Sequence, residues 1–119
     1  MTEGSYSKRD LEILRKIVKY CDDIEYFIQL YGSDESGFHD NLSLQYGCVF
    51  SLSQIGEYVK KLSSEFTEDH RETDWRGIAG LRNLIVHNYE GVDVLRVRST
   101  ILNKVPALKE DCLRMLGRI

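Results

Sequence analysis

Residues 82 to 89 read RNLIVHNY, and they place Arg82, His87 and Tyr89 within one short segment. A guanidinium is a planar fork that matches phosphate oxygens. An imidazole moves protons near neutral pH. A phenol hydroxyl can accept a covalent modifier. RNA carries its own nucleophile, the 2′-hydroxyl, so cutting its backbone needs only a proton-transfer group and a cation for the charge that builds on phosphorus. No metal or other cofactor is required for that chemistry, and the sequence suggests no home for one. His39, His70 and His87 are scattered, and there is neither an H-E-x-x-H pattern nor a carboxylate cluster. Spacing alone, however, favours an ordinary reading, because Arg, His and Tyr at the polar edge of a helix end are common.

A helix turns about 100° per residue. With Asn83 set at zero, His87 falls at about +40°, Arg82 at about −100° and Tyr89 at about −120°. The apolar residues Ile78, Leu81, Leu84 and Ile85 cluster on the other side. Asn83 and His87 therefore share one edge, where Asn83 can orient His87 or a phosphate. Arg82 and Tyr89 share another edge, and Val86 lies between the two. One regular helix does not bring Arg82 and His87 together. Either the helix turns at its end, near Gly91, or two copies pair across this face so that both chains line one cleft. The second route also accounts for Val86, an apolar residue inside a polar arc, and makes a symmetric homodimer the economical expectation.

The elements that must position these residues are helical. One Pro in the chain and repeated apolar spacing of three and four predict an all-α domain spanning residues 1–119, a four- to five-helix up-down bundle. The first helix starts at Ser7, whose spacing to Asp10 suits an N-cap, and runs through Leu11, Leu14, Ile17, Val18, Cys21, Ile24 and Ile28 to a stop at Gly32. SDESGFHD reads as a polar loop. A second helix is expected from about Asn41 to Ser64, with Leu42, Val49, Leu52, Ile55, Val59 and Leu62 as its stripe. Gly47 and Gly56 inside it suggest close approach by a neighbouring helix. The third helix starts near Thr73 or Asp74, carries Trp75, Ile78, Leu81 and Ile85 on its core face, and ends near Tyr89. The last begins near Val92 or Asp93 and is kinked or split at Pro106.

Composition narrows the classes. The chain has 119 residues and a formal charge of −3, so any contact with RNA must use a local cationic patch or a dimer cleft. No run of about 18 apolar residues predicts a membrane span. The N-terminus, charged from the start, does not read as a signal peptide. Cys21, Cys48 and Cys112 are widely spaced and fit buried thiols in a reducing cytoplasm better than a disulfide frame or a zinc site.

LRNLIVHNYEGVD resembles the R-x4-H-x-Y signature of HEPN-domain proteins, specifically the HepT-like toxin family. SLSQIGEYVKKLS, with Ile55, Gly56 and Glu57, resembles that family's second-helix segment. DWRGIAGLRN is similar to its Trp-led entry into the motif helix, and the segment from Pro106 to Leu108 to its late proline before the final helix. The resemblance covers most of the chain. It implies an all-α homodimer whose two motifs face each other, acting as a metal-independent endoribonuclease toxin. It also implies a cognate antitoxin, a minimal nucleotidyltransferase that neutralises the toxin by adding AMP to the motif tyrosine. Carried over to this chain, Arg82 and His87 are the catalytic pair, Tyr89 is the AMP acceptor, and Asn83 matches the polar residue after the motif Arg. The chain departs from the family in reading DVLRVRS where a Trp is frequent early in the fourth helix.

Other residues have two readings each. Glu57 either packs beside the motif or is a solvated helix carboxylate. Trp75 is expected in the core, and Arg96 and Arg98 on a solvated face rather than on phosphate. Tyr20, Tyr26, Tyr31, Tyr46 and Tyr58 are expected to be partly buried, and His39 and His70 to lie in polar loops. The alternative to a nuclease is a non-catalytic module that binds nucleotides or docks a nucleotidyltransferase.

Overall fold

The computed structural model describes residues 7–87 and 94–117, and for 82–87 and Val94 the backbone alone. The architecture is all-α. In chain order the helices are α1 (Lys8–Tyr31), α2 (Glu35–Asp40), α3 (Leu42–Lys60), α4 (Ser64–Asp69), α5 (Trp75–His87), α6 (Val94–Asn103) and α7 (Val105–Met115). Helix α3 packs against both α1 and α5, and α7 closes the far side of α1.

Helix α1 begins as its sequence requires. The Ser7 hydroxyl accepts the Asp10 N–H at 3.1 Å, and Gly32 ends the helix at φ 84°, a conformation that a side chain would strain. Its core face carries Ile13, Leu14, Ile17, Cys21 and Ile24, with Leu11, Val18 and Ile28 partly buried. Gly47 allows α1 to approach α3. A Cβ there would lie 2.7 Å from the Phe27 ring. Tyr20 of α1 stacks on Tyr58 and meets Phe50 edge to face, so the two helices run antiparallel.

Several expectations need correction. SDESGFHD is not a loop: it holds α2, capped by Asp34, which accepts the Gly37 N–H and whose carboxyl is held below the usual range mainly by that bond. Phe38 projects from α2 into the core at 1% exposure, which gives the short helix its anchor. The second expected helix stops at Lys60, and Ser63 caps a separate helix, α4, anchored by the buried Phe66. Leu42 does not belong to the α3 core stripe: it is exposed, and Leu44 and Cys48 take the core positions. Tyr26, Tyr31 and Tyr46 are also exposed rather than partly buried. His39 lies in α2, and His70 ends α4 with its ring stacked on Phe66. The last helix does split, but at Lys104 rather than Pro106. Pro106 sits in the first turn of α7, where a missing N–H costs nothing, and its ring would clash with a continuous helix through Leu102. Val92 and Asp93, the expected start of the last helix, and Tyr89, the expected end of the third, lie outside the described residues.

Polar ties lock the ends of the bundle. The Asp10 carboxylate is 2% exposed and accepts both the Ser63 N–H (2.9 Å) and the Ser63 hydroxyl (2.7 Å). Ser63 in turn accepts the Phe66 N–H, so the start of α1 fixes the start of α4. Lys109 of α7 bridges Asp22 and Glu25 of α1 at 2.8 and 3.1 Å. All three cysteines are buried and unpaired. Burial pushes the Cys48 and Cys112 thiols up to about 12, and the Cys21 thiol, with Cys112 adding to its burial, higher still.

Asp10→Ala leaves the Ser63 amide unsatisfied at a buried junction, and urea unfolding should show a loss of about 2–3 kcal/mol. A loss below about 0.5 kcal/mol, the level of an ordinary surface change, would contradict that role. The native protein at pH 8 should resist maleimide, because its thiols are both inaccessible and protonated. After unfolding, intact mass should show all three cysteines labelled. Fast labelling of the native state would contradict the burial.

Candidate active site

The motif helix is set by its N-terminus. Asp74 rather than Thr73 caps α5, accepting the Gly77 N–H at 3.0 Å. Thr73 instead donates its hydroxyl to Asp111 of α7 at 2.8 Å, and Asp111 also pairs with Arg114. This ties the start of α5 to α7. Trp75 is 7% exposed, as its place on the core stripe requires. Its indole N–H donates to the His70 carbonyl at 2.9 Å, and its ring tilts against Phe66. The indole thus joins α4 to α5 and is not a stacking platform for bases. Ile78 is buried and Leu81 partly buried against the same core.

From this anchor α5 runs unbroken through His87. Arg82, Asn83 and His87 therefore share one helix. Arg82 and His87, five residues apart on it, are separated by about 140° around its axis, while Asn83 and His87 fall within about 40°. No turn intervenes between Arg82 and His87 to reduce that separation. Tyr89 lies outside the described residues.

Glu57 comes to this region from α3, the helix on which α5 packs. It is not a fully solvated carboxylate: its Oε1 is shut off from water. Of the two arginines beyond the motif, Arg98 has a structural task, donating its Nε–H to the Ser33 carbonyl at 2.6 Å and pinning α6 to the α1–α2 turn. Arg96 is exposed.

The polar groups elsewhere do not make a competing centre. A cleft of about 530 Å³ is lined by Asp34, Glu35, Ser36, His39, Asp40 and Leu95, an acidic setting that disfavours phosphate. Among the described residues, no group of three or more His, Cys, Asp or Glu side chains could hold a metal ion. Among the same residues, no helix is long and apolar enough to cross a membrane.

Sequence reasoning missed the positioning residues Asp10, Ser63, Thr73 and Asp111. Ser63 had a signal, since it precedes S-E-F as a capping residue should, but the apolar stripe of α3 was extended across it. The two side chain pairs, 53 and 38 residues apart in the chain, leave no local trace.

The family model for "Ribonuclease HepT-like" matches residues 11–115, which spans every described helix but the first turn of α1. "Putative RNase MJ1216" of Methanocaldococcus jannaschii is 34% identical over 113 residues, 94% of this chain and 92% of that protein. "Probable ribonuclease HepT" of Thermococcus cleftensis is 34% identical over 95 residues, 76% of this chain and 86% of that protein. No solved structure is a significant match to the chain. With the motif helix, its Trp-led entry and the Glu-bearing α3 all inside the matched span, the chain belongs to the ribonuclease HepT-like family.

Proposed function

We propose that this chain is a metal-independent endoribonuclease toxin that cuts RNA in a cleft shared by two copies. We propose further that a cognate minimal nucleotidyltransferase antitoxin neutralises it by adding AMP to Tyr89. The observation that carries the reading is an intact Arg82, His87 and Tyr89 in a chain of a ribonuclease family.

The residues suit the chemistry. The 2′-hydroxyl of RNA attacks the adjacent phosphorus as His87 takes its proton. The bond to the 5′-oxygen breaks, that oxygen takes up a proton, and a 2′,3′-cyclic phosphate remains. Arg82 offsets the charge that builds on the phosphoryl oxygens. Asn83, one turn before His87 on the same edge, orients the imidazole or a phosphate. Glu57 supports the motif from α3. The separation of Arg82 and His87 around one regular helix favours a cleft in which Arg from one copy works with His from the other. Such a cleft also reconciles RNA binding with a chain of net charge −3, because it gathers the cations of two chains at one place.

AMP on Tyr89 would add negative charge on the edge that Arg82 shares. It would compete with RNA phosphate for the same cations and close the cleft. Three unpaired thiols suit the reducing cytoplasm, where a toxin of this kind meets its RNA.

Unmodified protein, verified by intact mass, should cleave total RNA in excess EDTA. His87→Ala and Arg82→Ala should each slow cleavage by at least about 100-fold. No cleavage by the unmodified wild type would overturn the nuclease reading and favour a non-catalytic module that binds nucleotides or docks a nucleotidyltransferase.

A further inference from the structure

We infer that Leu42, Tyr46 and Phe50, a stripe on the outer face of α3, form the surface through which two copies of this chain pair. Large apolar side chains are rarely left this open in a series. Leu42 is 62% exposed, Tyr46 58% and Phe50 57%. They recur every four residues, so they stand one above another and run for about 12 Å along the helix. Phe50 is held in place by its edge-to-face contact with Tyr20, 6.2 Å between centroids.

The identity of the occupant follows from charge. Residues 41–56 contain no Asp, Glu, Lys or Arg, in a chain where such residues make up 29%. A phosphate backbone finds no cation on this face, and a partner selected by opposite charge finds nothing to read. A second copy finds a surface that does not repel its own image. The other exposed apolar patch, Tyr26 and Leu30 on α1, lies in a segment that also holds Asp22, Asp23 and Glu25, and two copies meeting there would bring like charges together. The stripe is also self-complementary. Residues spaced by four form the ridge that packs into the matching groove of a second helix at a crossing angle of about −50°. A two-fold axis near Tyr46 lets Leu42 of each copy meet Phe50 of the other. Two-fold interfaces bury about 800 Å² per copy, and the three side chains would form the centre of one.

The stripe leads into the candidate site. Tyr46 and Glu57, eleven residues apart, lie within about 20° of each other around α3. Helix α5, which carries Arg82 and His87, packs on this same α3. Pairing through α3 therefore sets the two motif helices along one interface. In this respect the inference rests on the shared-cleft reading above, although pairing itself can be measured without it.

Sedimentation should find the wild type dimeric at micromolar concentration. Tyr46→Glu with Phe50→Glu should weaken self-association by at least about 100-fold, with circular dichroism and melting unchanged because both side chains are on the surface. Tyr26→Glu with Leu30→Glu should leave the dimer intact. Should the first pair fail to fold, Tyr46→Cys decides. A short bismaleimide should join two Tyr46→Cys chains and not two wild-type chains, whose cysteines are all buried. A monomeric wild type, a Tyr46→Glu/Phe50→Glu variant that remains dimeric, or Tyr46→Cys chains that do not crosslink would each overturn the inference. The RNA assay separates the two readings. Cleavage by a monomeric wild type would remove this interface and leave the nuclease, while a dimer through α3 that cuts nothing would do the reverse.

Discussion

Helix α3 has to be covered on nearly every side, and the rest of the structure follows from that. Its first sixteen residues with its cap carry no charge, so water is a poor neighbour for any of its faces. Helix α1 covers one face, brought close by the absence of a side chain at Gly47, and α5 covers another. Both ends are fastened by polar groups. Asn41 caps the start, and Gln45 donates to the Phe38 and His39 carbonyls that end α2. At the other end Asp10 holds Ser63 and through it the turn into α4. The register of α5 on α3 is therefore set before its motif residues are reached. Trp75 and Thr73 hold its first turn to α4 and α7, and twelve residues of regular helix carry that position to His87.

The long helices were legible because periodicity needs length. Ser7, Gly32 and Trp75 behave as their types and places imply. Helices α2 and α4 were not legible. Each has six residues and one buried aromatic, Phe38 or Phe66, which is too little to show a period among so many acidic neighbours. Periodicity also cannot say which of two apolar faces is the inner one. Leu42 was therefore placed in a core that belongs to Leu44 and Cys48. Arg98 shows the same limit: its bond to the Ser33 carbonyl spans 65 residues, so nothing local distinguishes it from a solvated arginine.

The candidate site was legible in kind but not in assembly. The residue types of RNLIVHNY name a chemistry, and helical geometry gives their register. That register separates Arg82 from His87, and α5 stays regular across both positions. The missing piece is a second surface, which one chain's sequence cannot display as a contact. An acidic protein that handles RNA faces the same requirement, since its cations must be concentrated somewhere. Pairing of two chains meets both needs at once, and a modification placed beside Arg82 would act where that concentration is greatest.

The most direct test of the shared cleft mixes two inactive proteins. Arg82→Ala and His87→Ala are unfolded together and refolded, so that half of the resulting dimers carry one chain of each kind. In such a dimer one of the two clefts has both an intact Arg82 and an intact His87. RNA cleavage should return to about a quarter of the wild-type rate, although neither variant cuts alone. A mixture as inactive as its components, with mixed dimers verified by mass, would mean that each chain carries its own complete site and would contradict the shared cleft.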